Sequence, residues 1–181
     1  LKASDNADSD EDREFIIDDD YLDAVSTAPS GLEWELPALQ EAFGPLSHGL
    51  IAVGSRPDSG KTTLILREAL NFAHQLAKIG KTVCFFGNEE NISLRILPRL
   101  ACMHGGYPPT DMNNPVTKRK ILEQWALYNR DVLGGAFKLY KHQHHSCTDI
   151  EKFAQKNNAG AVFIDQLGNV GGYESKKISG V

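Results

Sequence analysis

The feature that most constrains the fold of this chain is the run Gly-Ser-Arg-Pro-Asp-Ser-Gly-Lys-Thr at residues 54–62. It matches the phosphate-binding loop pattern Gly-x-x-x-x-Gly-Lys-Ser/Thr, whose backbone N–H groups surround nucleotide phosphates. In this pattern the lysine, Lys61, reaches the β- and γ-phosphates, and the hydroxyl of Thr62 holds Mg²⁺. The loop works between a strand and a helix, because the phosphates bind at the helix N-terminus. The motif therefore predicts an α/β fold and a nucleotide site formed by Gly54, Ser55, Asp58, Ser59, Gly60, Lys61, Thr62 and Thr63.

The residues on either side of the loop have the patterns that the motif requires. Residues 50–53 (Leu-Ile-Ala-Val) are a short apolar run that predicts the preceding strand. Residues 64–79 have a helical pattern, with an apolar face made of Leu66, Leu70, Ala73 and Ala77. Gly80 is a suitable residue for the end of that helix.

Apolar strands and helical patterns continue to alternate along the chain, which predicts βαβ units and a parallel sheet with helices on both faces. The further predicted strands are residues 83–86, 137–140 and 161–165. The first of these is continuously apolar, as expected for a strand buried on both faces. We expect residues 161–165 to be a buried strand as well.

The helices between these strands have recognisable boundaries. Asn91 is expected to cap a helix that breaks or kinks at Pro98. Residues 105–115 are typical of a loop, and the next helix has Ile121, Trp125 and Tyr128 on one face. A capping box at residues 148–151 (Thr-Asp-Ile-Glu) predicts the start of the last helix.

Ligands of open parallel sheets bind beyond the carboxyl ends of the strands. In this chain each predicted strand is followed by residues that can bind phosphate or magnesium or take part in catalysis. Asp165 ends an apolar strand and is placed to hold Mg²⁺ or its water, although such a carboxylate could also cap the next turn. Glu89 or Glu90 could activate the water that attacks the γ-phosphate. The alternative is that these acids only favour the start of the next helix.

Two polar segments have open interpretations. The cluster His142, His144 and His145 is interpreted as a solvated turn, as a γ-phosphate contact or, least favoured, as a metal site. Residues 168–181 contain Tyr173, Lys176 and Lys177, which suit either a mobile loop or a loop that contacts a nucleic-acid backbone.

Charge divides the chain. Residues 1–23 contain ten acidic residues and two basic ones, whereas the rest of the chain contains 14 acidic and 17 basic residues. Residues 1–30 therefore predict an acidic flexible arm or linker, with a DNA mimic as the alternative, and residues 31–181 the folded domain. Trp34 near the start of that domain is interpreted as a core or edge residue rather than a base-stacking platform.

Composition suggests a cytoplasmic protein. Cys84, Cys102 and Cys147 cannot all pair and have no metal-ligand spacing, so we expect reduced thiols. Apolar runs are too short to cross a bilayer, and no signal-peptide pattern occurs near the start. Because the chain opens with Leu1 rather than Met, we expect it to be a fragment, a processed product or part of a longer protein.

Three motifs together resemble the RecA-like ATPase core of replicative hexameric DNA helicases of the DnaB type, and especially its phage-encoded members. They are the loop at residues 54–62, the segment 85–90 (Phe-Phe-Gly-Asn-Glu-Glu) and the segment 162–165 (Val-Phe-Ile-Asp). Arg56-Pro57 within the loop, and an arginine (Arg95 or Arg99) after the acid pair, are also typical of that family. The resemblance extends over residues 31–167.

The resemblance implies an ATP-hydrolysing helicase motor that uses ATP and Mg²⁺ and translocates on single-stranded DNA during replication. It implies Lys61 as a phosphate contact, Thr62 and Asp165 as magnesium ligands, and Glu89 as the catalytic base. Family members are homo-oligomeric, hexameric rings, and a primase or other replication proteins are implied partners. A RecA-type recombinase or a partner-switching ATPase would share the motifs, and a small-molecule kinase is a less favoured alternative.

The family also has features beyond the strand of Asp165, namely DNA-binding loops, a γ-phosphate sensor, a fifth strand and an arginine finger. We expect most of these to lie beyond Val181, which would make the RecA-type core incomplete here. An arginine finger contributes about 10³–10⁵ in rate, so we expect these residues alone to hydrolyse ATP poorly. Gln166 and Pro98 depart from the pattern expected of the family.

Overall fold

The structure is a computed structural model, and it describes residues 31–54, 56, 58–87, 91–140, 145–166 and 170–171. The predicted arm at residues 1–30 lies outside this part of the chain. The α-helices are α1 (Pro37–Phe43), α2 (Lys61–Ala77), α3 (Leu97–Gly105), α4 (Pro115–Asp131) and α5 (Cys147–Lys156). The strands are β1 (Thr82–Gly87), β2 (Phe137–Leu139) and β3 (Ala159–Asp165). A π-helical turn spans Ile92–Ile96, and a 3₁₀ helix spans Pro109–Asn113.

The described strands form a small open parallel sheet in the order β2-β1-β3. The predicted mixed α/β class with a parallel sheet is thus confirmed. Strand β1 lies in the centre, and Val83, Cys84, Phe85 and Phe86 are fully buried, as their continuous apolar character predicted. Phe85 pairs with Leu139 on one side and with Phe163 on the other, so the three strands end at the same edge.

Helix α2 packs its apolar face against this sheet. Its buried apolar residues are Leu66, Ala69, Phe72, Ala73 and Leu76, whereas the predicted positions Leu70 and Ala77 are half-buried. Gly80 has φ 68°, a left-handed conformation that glycine adopts without strain, which confirms the predicted end of the helix. The core continues through α3 and α4, where Ile121 and Trp125 are buried as predicted.

The predicted strand at residues 50–53 is not formed. These residues are outside any strand of the described chain, and Leu50 and Val53 are 92% and 44% exposed. The physical reason is that a strand needs a neighbour for its backbone hydrogen bonds, and the described residues provide none here. Strand β3 is also less buried than expected, since it lies at the edge of the sheet with Val162 41% exposed.

The region around Pro98 changes helix type instead of breaking, because the π-helical turn Ile92–Ile96 continues directly into α3 at Leu97. The Asn91 side chain accepts a hydrogen bond from the Leu94 N–H, and the π-helical turn follows it. Pro98 lies in the first turn of α3, where a proline without an N–H is tolerated. The predicted loop at residues 105–115 was wrong in part, because Pro109–Asn113 forms a 3₁₀ helix.

The capping box of the last helix lies two residues before its predicted position. The Asp149 N–H donates to Ser146 Oγ at 3.2 Å, and the Ser146 N–H donates to the Asp149 carboxylate at 2.9 Å. The Asp149 pKa is lowered by these bonds to Ser146, the backbone one first. The shift occurs because α5 begins at Cys147, so Ser146 rather than Thr148 is the last residue before the helix.

The segment before the phosphate-binding loop packs on α2. The Trp34 ring lies 5.2 Å from that of Phe72, and its Nε1–H donates to the Gly44 carbonyl at 3.0 Å. Trp34 is half-buried, which confirms the predicted packing role. Within the residues described, none of the helices combines the length and the apolar character needed to cross a membrane.

Candidate phosphate and magnesium site

The phosphate-binding loop leads directly into α2. Gly60 precedes the helix with φ 87° and ψ 12°, a left-handed conformation that favours glycine. Its carbonyl accepts the first helical hydrogen bond, from the Leu64 N–H at 3.0 Å. Among the described residues no side chain caps this helix, so the first-turn N–H groups of Lys61, Thr62 and Thr63 face outward from the helix end. Such an end attracts anions.

The part of the loop that the structure describes is compact and exposed. The Ser59 hydroxyl donates to the Arg56 carbonyl at 2.8 Å, which closes a tight turn. Asp58 has φ 57°, an uncommon conformation for a residue other than glycine, and Gly54 is exposed. Ser55 lies outside the described residues.

Thr62 and Asp165 meet at the carboxyl edge of the sheet. The Thr62 hydroxyl donates to Asp165 Oδ2 at 2.8 Å, although the two residues are 103 positions apart in the sequence. Asp165 is only 1% exposed and is the last residue of β3. The structure therefore brings together the hydroxyl and the carboxylate that sequence reasoning assigned to one magnesium ion.

The second carboxylate oxygen of Asp165 fits the same role. Within the described residues Oδ1 is buried and has no hydrogen-bond partner. A buried carboxylate oxygen is costly unless it is hydrogen-bonded or coordinates a metal. Mg²⁺ prefers oxygen ligands and usually keeps several waters, so one hydroxyl and one carboxylate beside the N-terminus of α2 suit it.

The acid pair lies outside the described residues, but its attachment point is defined. Gly87, the last residue of β1, pairs in register with Asp165. Glu89 and Glu90 follow Gly87 by two and three residues in the sequence. Their side-chain positions stay predictions.

Of the histidine cluster, His145 is described and its interpretation as a solvated residue was wrong. It is 3% exposed, and its ring lies 5.1 Å from that of Phe86 and 5.7 Å from that of Tyr140. The rings of Phe86 and Tyr140 thus lie against its imidazole, and its backbone carbonyl accepts the Gly171 N–H at 2.8 Å. His142, His144 and most of residues 168–181 lie outside the described residues.

Sequence reasoning missed a polar cluster on α2. Glu68 is 2% exposed and accepts the N–H groups of Glu35 at 2.9 Å and Leu36 at 3.1 Å. Asn71 and Gln75 contact Glu33 from the same helix face. The spacing 68, 71, 75 is a helical stripe of polar residues beside the apolar one, and that stripe was the available signal.

A second missed cluster joins α2, α3 and α4. The Tyr128 hydroxyl lies 2.6 Å from His74 Nε2, and the rings of Tyr128 and His104 stack with centroids 3.7 Å apart. The His74 pKa is lowered by burial and then by the charge of Lys78. The His104 pKa is lowered by burial and then by His74, and burial raises the Tyr128 pKa. The aromatic and histidine residues of these helices were not recognised as a group.

No protein-family model matches this chain, and no curated protein matches it. The site is therefore described by its geometry alone. The N-terminus of α2 lies beside a buried carboxylate at the edge of a parallel sheet.

Proposed function

We propose that this chain is the motor domain of an ATP-dependent DNA helicase with a RecA-like fold. The observation that carries the nucleotide-binding part is the 2.8 Å hydrogen bond between Thr62 Oγ1 and Asp165 Oδ2 beside the start of α2. It joins the two halves of one candidate magnesium site across 103 residues. The helicase part is supported by the resemblance of the three motifs to replicative helicases.

In this proposal each residue of the site has a definite task. The backbone N–H groups at Gly60 and in the first turn of α2 bind the phosphates, and the Lys61 ammonium neutralises the β- and γ-phosphates. Thr62 and Asp165 orient the magnesium ion, which supplies charge neutralisation for the transferred phosphoryl group. Glu89 orients and deprotonates the attacking water.

The assembly is part of the same proposal. The motor acts as a homo-oligomeric, hexameric ring on single-stranded DNA, with a primase or other replication proteins as further partners. The outer edge of β3 is unpaired within the described residues, which is compatible with a further strand of a RecA-like sheet at that edge. Tyr173, Lys176 and Lys177 would contact the DNA backbone and bases.

The test is strand separation by the intact protein on a forked DNA duplex with Mg·ATP. Unwinding that stops in the Lys61→Ala variant supports the helicase. Filament formation on DNA without unwinding would favour a recombinase, and ATP hydrolysis that DNA does not stimulate would favour a partner-switching ATPase. Phosphorylation of a nucleoside or sugar would indicate a kinase and contradict the proposal.

A further inference from the structure

We propose that Glu68 is a positioning residue of the nucleotide site. It fastens residues 31–46, here called the strap, to α2 and so fixes the path of the chain into the phosphate-binding loop. The effect on nucleotide binding rests on the proposed nucleotide-binding function. Glu68 acts through the strap and α2 rather than on the nucleotide itself.

The burial of Glu68 is explained by the strap. A carboxylate that is 2% exposed is costly unless hydrogen bonds replace its water. Glu68 Oε2 accepts the Glu35 N–H at 2.9 Å, and Oε1 accepts the Leu36 N–H at 3.1 Å. Asn71 Nδ2 adds a weaker contact at 3.4 Å. The carboxylate therefore depends on the two strap amides, because separating them leaves the buried Glu68 carboxylate without these hydrogen bonds.

Two amide side chains of α2 hold the next part of the strap. Gln75 Nε2 donates to the Glu33 carbonyl at 2.7 Å, and the Glu33 N–H donates to Gln75 Oε1 at 2.8 Å. The Gln75 amide thus pairs with Glu33 as a neighbouring strand would. Asn71 Nδ2 donates to the same carbonyl at 2.6 Å. These bonds fix which strap residue lies opposite Gln75, and they therefore fix the position of the strap along α2.

The strap is closed at the end that leads to the loop. The Leu32 N–H donates to the Leu46 carbonyl at 2.8 Å, and the Leu46 N–H donates to the Leu32 carbonyl at 2.9 Å. Leu46 lies eight residues before Gly54. The same helix that binds the strap carries Thr62 at its start, about 9 Å along the axis from Glu68. Fastening the strap to α2 therefore fixes the origin of residues 47–54 relative to the phosphate-binding helix end.

Binding sites need such support because a small displacement of the binding groups loses much of the interaction. Removing the Glu68 carboxylate leaves the amides of Glu35 and Leu36 without their acceptor. The strap then loses its attachment at Glu35 and Leu36, while Glu33 stays bound to Gln75 and Asn71. The path of the chain from the strap into the loop is then less firmly fixed. We expect weaker Mg·ATP binding although no residue that contacts the nucleotide has changed.

The experiment measures Mg·ATP dissociation constants by calorimetry for the unmodified protein and for three variants, Glu68→Ala, Glu68→Gln and Ile121→Ala. Ile121 is 1% exposed on α4, so its truncation lowers stability through a core cavity without altering a strap hydrogen bond. All titrations use a temperature at which circular dichroism shows every variant folded. Glu68→Ala is expected to weaken binding about tenfold or more, which corresponds to the loss of about one charged hydrogen bond. Glu68→Gln is expected to retain part of the affinity through its remaining carbonyl, and Ile121→Ala all of it.

Hydrogen exchange separates this inference from the proposed function. In Glu68→Ala the amides of Glu35 and Leu36 are expected to exchange faster, while that of Phe85 in β1 keeps its protection. Unchanged exchange at Glu35 and Leu36 would overturn the claim that Glu68 fastens the strap to α2. Equal affinity of Glu68→Ala and the unmodified protein, or an equal loss in Ile121→Ala, would overturn the positioning role. Failure of the unmodified protein to bind Mg·ATP would instead overturn the proposed function.

Discussion

At the scale of single residues, the Thr62 hydroxyl is the most informative atom of the site. It is the first-turn group that contacts the buried Asp165 carboxylate. We predict that Thr62→Ala lowers magnesium-dependent ATP affinity about tenfold or more, because the variant removes a hydroxyl oxygen that the proposed site uses to hold the magnesium ion. Thr62→Ser keeps the hydroxyl and should bind nearly as well. Equal affinities of the alanine and serine variants in a calorimetric titration would show that the hydroxyl has no such role.

The acid pair separates binding from hydrolysis at the same scale. We predict that Glu89→Gln binds ATP but loses hydrolysis, because an amide cannot accept the proton of the attacking water. Glu90→Gln is the matched control and should retain turnover. Full DNA-stimulated turnover by Glu89→Gln in a phosphate-release assay would make the assignment of the base wrong.

At the scale of secondary-structure elements, the start of α2 requires a residue that tolerates a left-handed backbone. Gly60 has φ 87°, and Gly106 after α3 has φ 67°. Both glycines have open space where a Cβ would lie, so alanine should cost backbone strain of about 1–2 kcal/mol at either position. We predict similar losses of stability in urea unfolding, but weaker Mg·ATP binding for Gly60→Ala alone. A similar loss of Mg·ATP affinity in Gly106→Ala would show that the weaker binding of Gly60→Ala results from lower stability.

The contact between helices α2, α3 and α4 predicts a response to pH. His74 and His104 have pKa values lowered below 6.5 in the folded protein, chiefly by burial beside Tyr128. Lys78 lowers the His74 pKa further, whereas Glu35 raises it. As pH falls below 6.5 the unfolded chain binds these protons first, so stability should fall until the folded-state pKa values are passed.

The measurement for this prediction is the free energy of unfolding in urea on either side of the ordinary histidine pKa of 6.5. The double variant His74→Gln/His104→Gln should lose less stability on acidification than the unmodified protein. Since all other histidines are the same in both proteins, the difference between the two acid responses isolates this cluster. An equal loss of stability on acidification in both proteins would show that His74 and His104 do not contribute to the pH dependence.

Elements defined by local sequence could be predicted. The apolar run of β1, the left-handed Gly80 and the Asn91 cap depend on nearby residues, and all three are present. The capping box lies at Ser146 and Asp149 instead of Thr148 and Glu151, because α5 begins at Cys147. The residue at which a helix begins is not always visible in a short sequence pattern.

At the scale of the whole molecule, a contact could be predicted from the sequence only where a general rule of sheet topology determines it. The approach of Thr62 to Asp165 could be predicted because parallel strands end at one edge, whatever their separation in the chain. Whether residues 50–53 form a strand could not be predicted by this rule, since a strand forms only beside a neighbouring strand of the sheet. The Glu68 contact with the strap was hidden because its partners are backbone amides more than 30 residues away, which carry no sequence signal.

The central claim is that the helix end at Lys61 and the Asp165 carboxylate form one site for a nucleoside triphosphate and its magnesium ion. The most direct measurement is a calorimetric titration of the intact protein with ATP, with and without Mg²⁺, repeated for Asp165→Asn. We predict that magnesium strengthens ATP binding to the unmodified protein and that this gain is lost in Asp165→Asn. No ATP binding by the unmodified protein, or an undiminished magnesium effect in Asp165→Asn, would contradict the claim.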